Sequence, residues 1–483
     1  MQKTILINPP FSLEDRYGSQ VKVFGALTEP MGLAYIASSL EHGGFPVEIL
    51  DAQALELTQK DVVDYVRQAH AAVVGITFLT PAFNVVKELS NSIKHACPEI
   101  KIIVGGSHPT ALPEKTLEEC LSVDYVCVGE GESVILDFLK FVKGNKKVAE
   151  VSSLVYRHNG RVIKNPAADL SKDIDCLPKP ARHLLPMERY KLTVSRTENS
   201  RFCPTIILAR GCPFDCQFCS HPFGRTYRHH SVKRIIEEIK EIQRLYQTDQ
   251  FNFEADTLTL DKKFIIELCE AIIKEGLDIK WTCESRIDTV DEAVLKKMKS
   301  AGCWQISYGV ESGSQRLLDI IHKGVKKENV VKVFDLTRKI GISSRGFFML
   351  GLPSETLEES METINFAKSL NSLWAQFTLT IPYPGTPMFN QLQAEGKIRH
   401  YRWSDYNTWG GWAGKTLPYV PEGRTDNELR NLQKKAMMLY YMRLNMILRH
   451  LKGISSFEDF KKIFLGGCVL LKNSIGQKKN VKR

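Results

Sequence analysis

Short apolar runs rich in Ile, Val and Leu recur through the first 145 residues, separated by stretches whose apolar positions fall at helical spacing. The runs at 4–8, 46–51, 72–77, 101–105 and 125–128 read as strands, and the stretches at 32–43, 61–70 and 84–96 as helices. Repeated β-α units predict a parallel sheet with helices on both faces. A second series begins at 205, with strands at 205–209, 250–254, 278–283, 304–309, 344–350 and 375–380. Its first helix covers 231–246, with Ser231 as N-cap. Between the two series, runs at 151–157 and 161–165 flank His158-Asn159-Gly160 and predict a hairpin with an Asn-Gly turn. Leu177-Pro178-Lys179-Pro180 and Leu185-Pro186 then mark a connection.

After 398 the alternation stops. Trp403, Trp409 and Trp412 lie among glycines in a loop placed to cover the second series. A helix over 426–451 carries an apolar stripe of Leu429, Leu432, Ala436, Leu439, Leu444, Ile447, Leu448 and Leu451. The stripe is expected to pack as core, with a lipid surface as the alternative partner. The chain therefore divides at 1–145, 146–197, 198–398 and 399–483.

In parallel sheets ligands gather beyond the strand C-termini. Those edges carry Asn8-Pro9-Pro10, Thr77-Phe78-Leu79-Thr80, Gly105-Gly106-Ser107-His108 and Gly129-Glu130-Gly131-Glu132 in the first series. Glycines there let the backbone approach a large ligand.

Composition narrows the class. With 43% hydrophobic and 25% charged residues, the 483-residue chain has the balance of an ordinary globular protein. The start reads as a first strand rather than a signal peptide, and no apolar stretch reaches the ~18 residues of a membrane span. The 463–471 run is too short for one. A formal charge of +10 rests partly on the basic tail 477–483, and no nucleic-acid module is recognisable. Twelve cysteines without paired spacing suit a reducing cytoplasm.

Three of those cysteines carry the chemistry. Arg210-Gly211-Cys212-Pro213-Phe214-Asp215-Cys216-Gln217-Phe218-Cys219 has C-x3-C-x2-C spacing. Three such thiolates hold three corners of a 4Fe–4S cluster and leave one iron open to a small molecule. A Cys3His zinc site with His221 is the competing reading. Cys269, Cys283 and Cys303 lack cluster spacing and read as packed thiols.

The run, with Phe218 before its last cysteine, resembles the cluster loop of the radical S-adenosylmethionine (SAM) superfamily. The first 145 residues resemble the cobalamin-binding Rossmann-like domain that precedes the barrel in one large subfamily. Pro30-Met31-Gly32-Leu33-Ala34-Tyr35 and Gly105-Gly106-Ser107-His108-Pro109-Thr110 carry that likeness. The expected fold is thus α/β: a Rossmann-like cobalamin-binding domain, a partial (β/α)6 radical SAM barrel and a helical C-terminal segment. In the superfamily SAM chelates the open iron and is cleaved reductively to methionine and a 5′-deoxyadenosyl radical.

The resemblance implies site residues. Cys212, Cys216 and Cys219 would hold the cluster. Phe218, Glu254, Asp256, Arg286, Ser307, Glu311 and Gly351 would contact SAM, with Arg286 and Glu311 as partners. Thr77, Leu79, Gly105, Gly106, Gly129 and Glu130 would line the cobalamin site. The Asp-x-His-x-x-Gly motif that supplies a histidine to cobalt is absent after the first strand, so no His ligand is expected from that loop, and His108 reads as a loop-packing residue. The implied reaction is cobalamin-dependent C-methylation of an unactivated carbon. Ring formation or rearrangement on a lipid or tetrapyrrole is the alternative, since the subfamily includes anaerobic porphyrin-ring cyclases and hopanoid-modifying enzymes. A redox-sensing regulator is the reading from another class. No second cluster is expected, which disfavours a methylthiotransferase. Expected partners are a small-molecule, lipid or peptide substrate and a flavodoxin- or ferredoxin-type electron donor.

Overall fold

The computed structural model describes residues 3–22, 25–192, 202–452, 460–461 and 464–469. The expected boundary near 195 and the basic tail lie outside them.

A mixed seven-stranded sheet and a parallel six-stranded sheet organise the chain. The first contains β1 (Thr4–Asn8), β2 (Val47–Asp51), β3 (Val73–Thr77), β4 (Lys101–Gly105), β5 (Tyr125–Cys127), β6 (Leu154–His158) and β7 (Arg161–Lys164), in the order β2-β1-β3-β4-β5-β6-β7. The first five strands are parallel. The order reverses at β1, and in such sheets ligands gather beyond the strand C-termini at this switch point. The hairpin expected in the connecting segment instead extends this sheet, because β6 pairs antiparallel with β5. Ile5, Ile7, Val74, Ile76, Ile102 and Val104 fill the core on one face, and Leu6, Val73 and Ile103 on the other. Apolar residues on both faces explain why these strands read as continuous runs rather than alternations.

β8 (Thr205–Ile207) opens the second sheet, and β9 (Ala209–Arg210) and β10 (Arg228–His229) form a small antiparallel ribbon beside it. β11 (Gln250–Glu254), β12 (Lys280–Ser285), β13 (Cys303–Glu311), β14 (Ser343–Leu350) and β15 (Trp374–Leu379) follow. The order β15-β14-β13-β12-β11-β8 is an open, wholly parallel six-stranded sheet with helices between successive strands. Ser231 caps the helix Val232–Tyr246 through the Arg234 amide.

The C-terminal helix is two helices, Asp426–Tyr441 and Leu444–Lys452. At the break Arg443 donates to the carbonyls of Tyr440 and Lys368. Only the first half buries its stripe. Leu429, Leu432 and Ala436 are core, Tyr440 is bonded to Ser372, and Tyr441 ties its hydroxyl to the backbone of Ala375 on edge strand β15. Leu444, Leu448 and Leu451 lie exposed, contrary to the expected core stripe. No helix among the described residues is long and apolar enough to cross a membrane.

Candidate active site

The cysteine loop, residues 211–227, is closed at its base by the β9–β10 ribbon, where Arg210 pairs with Arg228. Gly211 has φ +86°, and a Cβ there would lie 2.1 Å from the Thr226 carbonyl oxygen, so only glycine closes this turn. Its amide donates to Asp256 Oδ2 at 2.7 Å. The loop is threaded through the barrel rim: the Gln217 amide donates to the Ile321 carbonyl (3.0 Å) and its carbonyl accepts from the Met388 amide (2.8 Å). Phe218 packs against the apolar cluster of Leu317, Leu318, Ile321 and Leu352.

Cys216 is buried, and Cys212 and Cys219 are half-buried. Burial, then the neighbouring Cys216 and Cys212, push the Cys219 thiol up to about 12. The three sulfurs therefore sense one another, and a metal would have to displace a proton here. Yet among the described residues no three His, Cys, Asp or Glu side chains converge as on a single ion. Three thiolates are the donor set of a 4Fe–4S cluster with one open iron, and His221 Nε2 makes no hydrogen bond among the described residues.

The rim residues sort differently from the sequence expectation. Glu254 ends β11 and is exposed, Asp256 follows two residues on with its carboxylate turned to the Gly211 amide, and Ser307 is buried in β13. Glu311 sits where the β13–β14 register shifts, with φ +70°, a left-handed conformation that a non-glycine residue rarely adopts. Its partner is not Arg286. Glu311 Oε1 accepts from Lys323 Nζ at 2.8 Å, both buried. A Cβ on Gly309 would lie 2.5 Å from Glu311 Oε1, so that glycine makes the room. Arg286 instead forms a two-toothed pair with Asp288 (2.9 and 2.8 Å), the nearer carboxylate in sequence. Gly351 (φ +82°) brings the backbone against Leu429 of the C-terminal helix, and Glu355 accepts from the Leu352 amide at 2.6 Å. Lys323 and Asp288 escaped the sequence reading because neither belongs to a spaced motif.

At the C-terminal edge of the first sheet, Gly106 has φ +105°, and a Cβ would lie 2.6 Å from the Phe78 carbonyl oxygen and 3.0 Å from Thr77 Oγ1. Beside it Leu79 leaves half its surface exposed, 51%. Gly105 is half-buried, and Gly129 (φ +80°) donates its amide to Thr110 Oγ1 and has open space where a side chain would be. A bare, glycine-built edge with one exposed apolar side chain fits a broad, flat ligand. Glu130 does not belong to that edge chemically. Its carboxylate is bound by Arg228 and, at 3.2 Å, by Arg210. Glu132 takes the other arm of Arg210 at 2.6 Å. Tyr35 and Phe223 lie 5.0 and 5.2 Å from the Arg210 guanidinium. The loop after β5 thus holds both stems of the cysteine loop, and the two strand-end edges meet through it.

His108 is enclosed by Phe78, Phe83 and Trp403, with Nδ1 3.2 Å from Thr80 Oγ1. Burial, then Lys115, lower its pKa from 6.5 to about 3. A lowered histidine contributes stability that is full above pH 6.5 and is lost as pH falls towards about 3. His108→Phe should therefore flatten acid destabilisation below pH 6.5, where the wild type loses up to about 1.4 kcal/mol per pH unit at this site. Melting temperatures from pH 7 to 4.5 for both proteins test this; parallel curves would refute it.

Sequence comparison matches residues 20–139 to the B12 binding domain and residues 206–367 to the radical SAM superfamily. An uncharacterized methyltransferase of Pyrococcus horikoshii is 34% identical over 93% of this chain and 94% of its own length. The chain belongs to the B12-binding branch of the radical SAM superfamily. It is a radical SAM enzyme. Within the family, the anaerobic magnesium-protoporphyrin IX monomethyl ester cyclase of Rubrivivax gelatinosus is 30% identical over 78% of this chain and 68% of its own. This chain shares its fold with the radical SAM methyltransferase TsrM of Kitasatospora setae, solved with cobalamin and a 4Fe–4S cluster: TM-score 0.70 at 16% identity, over 92% of this chain and 89% of that one.

Proposed function

We propose that this enzyme transfers a methyl group to an unactivated carbon, using SAM, a 4Fe–4S cluster and cobalamin. The carrying observation is the junction at Arg210, which fixes the three-cysteine loop to the loop after β5, at the strand-end side of the first sheet. Bound at these two edges, the cluster would supply the electron that cleaves SAM, and the corrinoid a transferable methyl group.

The chain's own residues position and shelter. Cys212, Cys216 and Cys219 would hold the cluster. Glu254 and Asp256 offer carboxylates to SAM's ammonium, and Ser307, Glu311 and the Gly351 backbone line the remaining rim. Phe218 excludes water beside the loop. Thr77, Leu79, Gly105, Gly106 and Gly129 would border the corrinoid, with no histidine on cobalt. Methylation is favoured over ring closure because the methyltransferase relative matches along nearly its whole length.

Anaerobic protein given iron, sulfide, hydroxocobalamin, SAM and dithionite should form 5′-deoxyadenosine, and S-adenosylhomocysteine only when hydroxocobalamin is present. Deoxyadenosine alone would favour the cyclase reading, and neither product would favour a regulator.

One surface observation favours a lipid partner. Leu444, Leu448 and Leu451, spaced at i, i+4 and i+7, are 72%, 50% and 49% exposed, with Lys452 beside them. Such a strip fits the surface of an anionic bilayer. Binding to phosphatidylserine vesicles should be lost in a Leu444→Ser, Leu448→Ser, Leu451→Ser variant; equal sedimentation of both proteins would refute this.

A further inference from the structure

Arg286 stands at the end of β12, buried, with its side chain fully committed to the protein. Nε and Nη2 donate to the two oxygens of Asp288, and Nη2 also donates to the Lys323 carbonyl at 2.7 Å. The guanidinium lies 3.7 Å over the ring of Phe214, inside the cysteine loop. Its remaining arm, Nη1, points at Cys216 and donates to Sγ at 3.2 Å.

The other two cysteines are treated differently. Cys212 Sγ is 3.7 Å from the neutral Thr257 hydroxyl, and Cys219 Sγ is 3.4 Å from the Ser220 carbonyl. Among the described residues, Cys216 alone of the three has a charged side-chain donor on its sulfur, and it is also the most buried of them. A fixed positive charge in a poorly solvated place acts strongly on a neighbouring anion. Hydrogen bonds and charges at ligating sulfurs set the reduction potential of iron–sulfur clusters.

We infer that Arg286 is a positioning residue that raises the reduction potential of the cluster through Cys216, and is not a SAM ligand. Reduction adds one electron from an external donor to the cluster, and no bond forms or breaks at Arg286. The N–H donor and positive charge at Cys216 favour the more negative, reduced state. Asp288 and Phe214 hold the fork in place, and a lysine, which lacks the planar geometry, cannot reproduce it. The inference rests on the cysteine assignment proposed above.

The test is a potentiometric titration of anaerobically reconstituted wild type, Arg286→Gln and Arg286→Lys, followed by electron paramagnetic resonance of the reduced cluster, with SAM affinity measured on the same samples. Dithionite-poised solutions supply the electron. Arg286→Gln should show a roughly tenfold lower reduced-to-oxidised ratio at a fixed potential, about 59 mV for a one-electron couple, with SAM affinity unchanged. Arg286→Lys should fall between it and the wild type. An unshifted potential in the Gln variant, or weakened SAM binding with the potential unchanged, would overturn the inference. So would loss of the cluster from both variants, which would assign Arg286 to building the loop. A wild type that holds no cluster would instead overturn the cysteine assignment, and this inference with it.

Discussion

Replacing Cys212, Cys216 and Cys219 together by Ala should abolish the iron–sulfur absorbance and all reductive SAM cleavage, while hydroxocobalamin binding persists. The loop offers no further cysteine to replace them. Cys269, Cys283 and Cys303 neighbour one another but are wholly buried within the core packing, away from the loop. Among the described residues no group of three His, Cys, Asp or Glu side chains is placed to take a metal ion in their stead. The loop should nonetheless keep its course, because the β9–β10 ribbon, the Gly211–Asp256 bond and the backbone bonds of Gln217 do not involve sulfur. The effect on activity is expected to be total and the effect on stability without iron small. Iron and sulfide content, visible spectra and deoxyadenosine yield decide it. A stoichiometric 4Fe–4S signal in the triple variant would refute the assignment of these ligands.

What the sequence revealed and what it hid follow from range. The strands were legible because each is a local pattern, apolar on both faces in the first sheet and alternating in β14 and β15 of the second, and observed bounds differ from the expected ones by a residue or two, as 46–51 against Val47–Asp51. The cysteine loop was legible because its donors lie within a few residues of one another. Pairings between distant segments were not. Arg210 and Glu130 are 80 positions apart, and nothing local distinguishes Glu130 as an ion-pair partner from Glu130 as a ligand contact. Arg286 was assigned to Glu311 because both end neighbouring strands. The fold instead supplies Asp288 two residues along and raises Lys323 from the helix end to Glu311. The 426–451 stripe failed for another reason: helical periodicity continues through Met442-Arg443, while at the break the Arg443 side chain bonds the Tyr440 carbonyl at the end of the first helix and the Lys368 carbonyl of a neighbouring one.

Replacing Glu130 and Glu132 together by Ala should destabilise the junction of the two sheets and loosen the cysteine loop, without weakening hydroxocobalamin binding. Arg210 and Arg228 are 2% and 4% exposed. Each would be left charged and buried with its acidic partner gone. Removing one side of a buried pair costs about 3–5 kcal/mol, mostly for the charge left behind. The two carboxylates share Arg210, so their losses should not simply add. A fall in melting temperature of roughly 10 °C is expected, at about 2–4 °C per kcal/mol for a domain of this size class. Because both arginines are loop stems, the reconstituted cluster should also be lost faster to a chelator than from the wild type. The paired substitution Arg210→Met with Glu132→Leu should recover much of the stability, since an apolar set of similar volume needs no charge partner. The competing view is that Glu130 touches the corrinoid. It predicts weaker hydroxocobalamin binding by Glu130→Ala at an unchanged melting temperature, and that result would return Glu130 to the ligand edge.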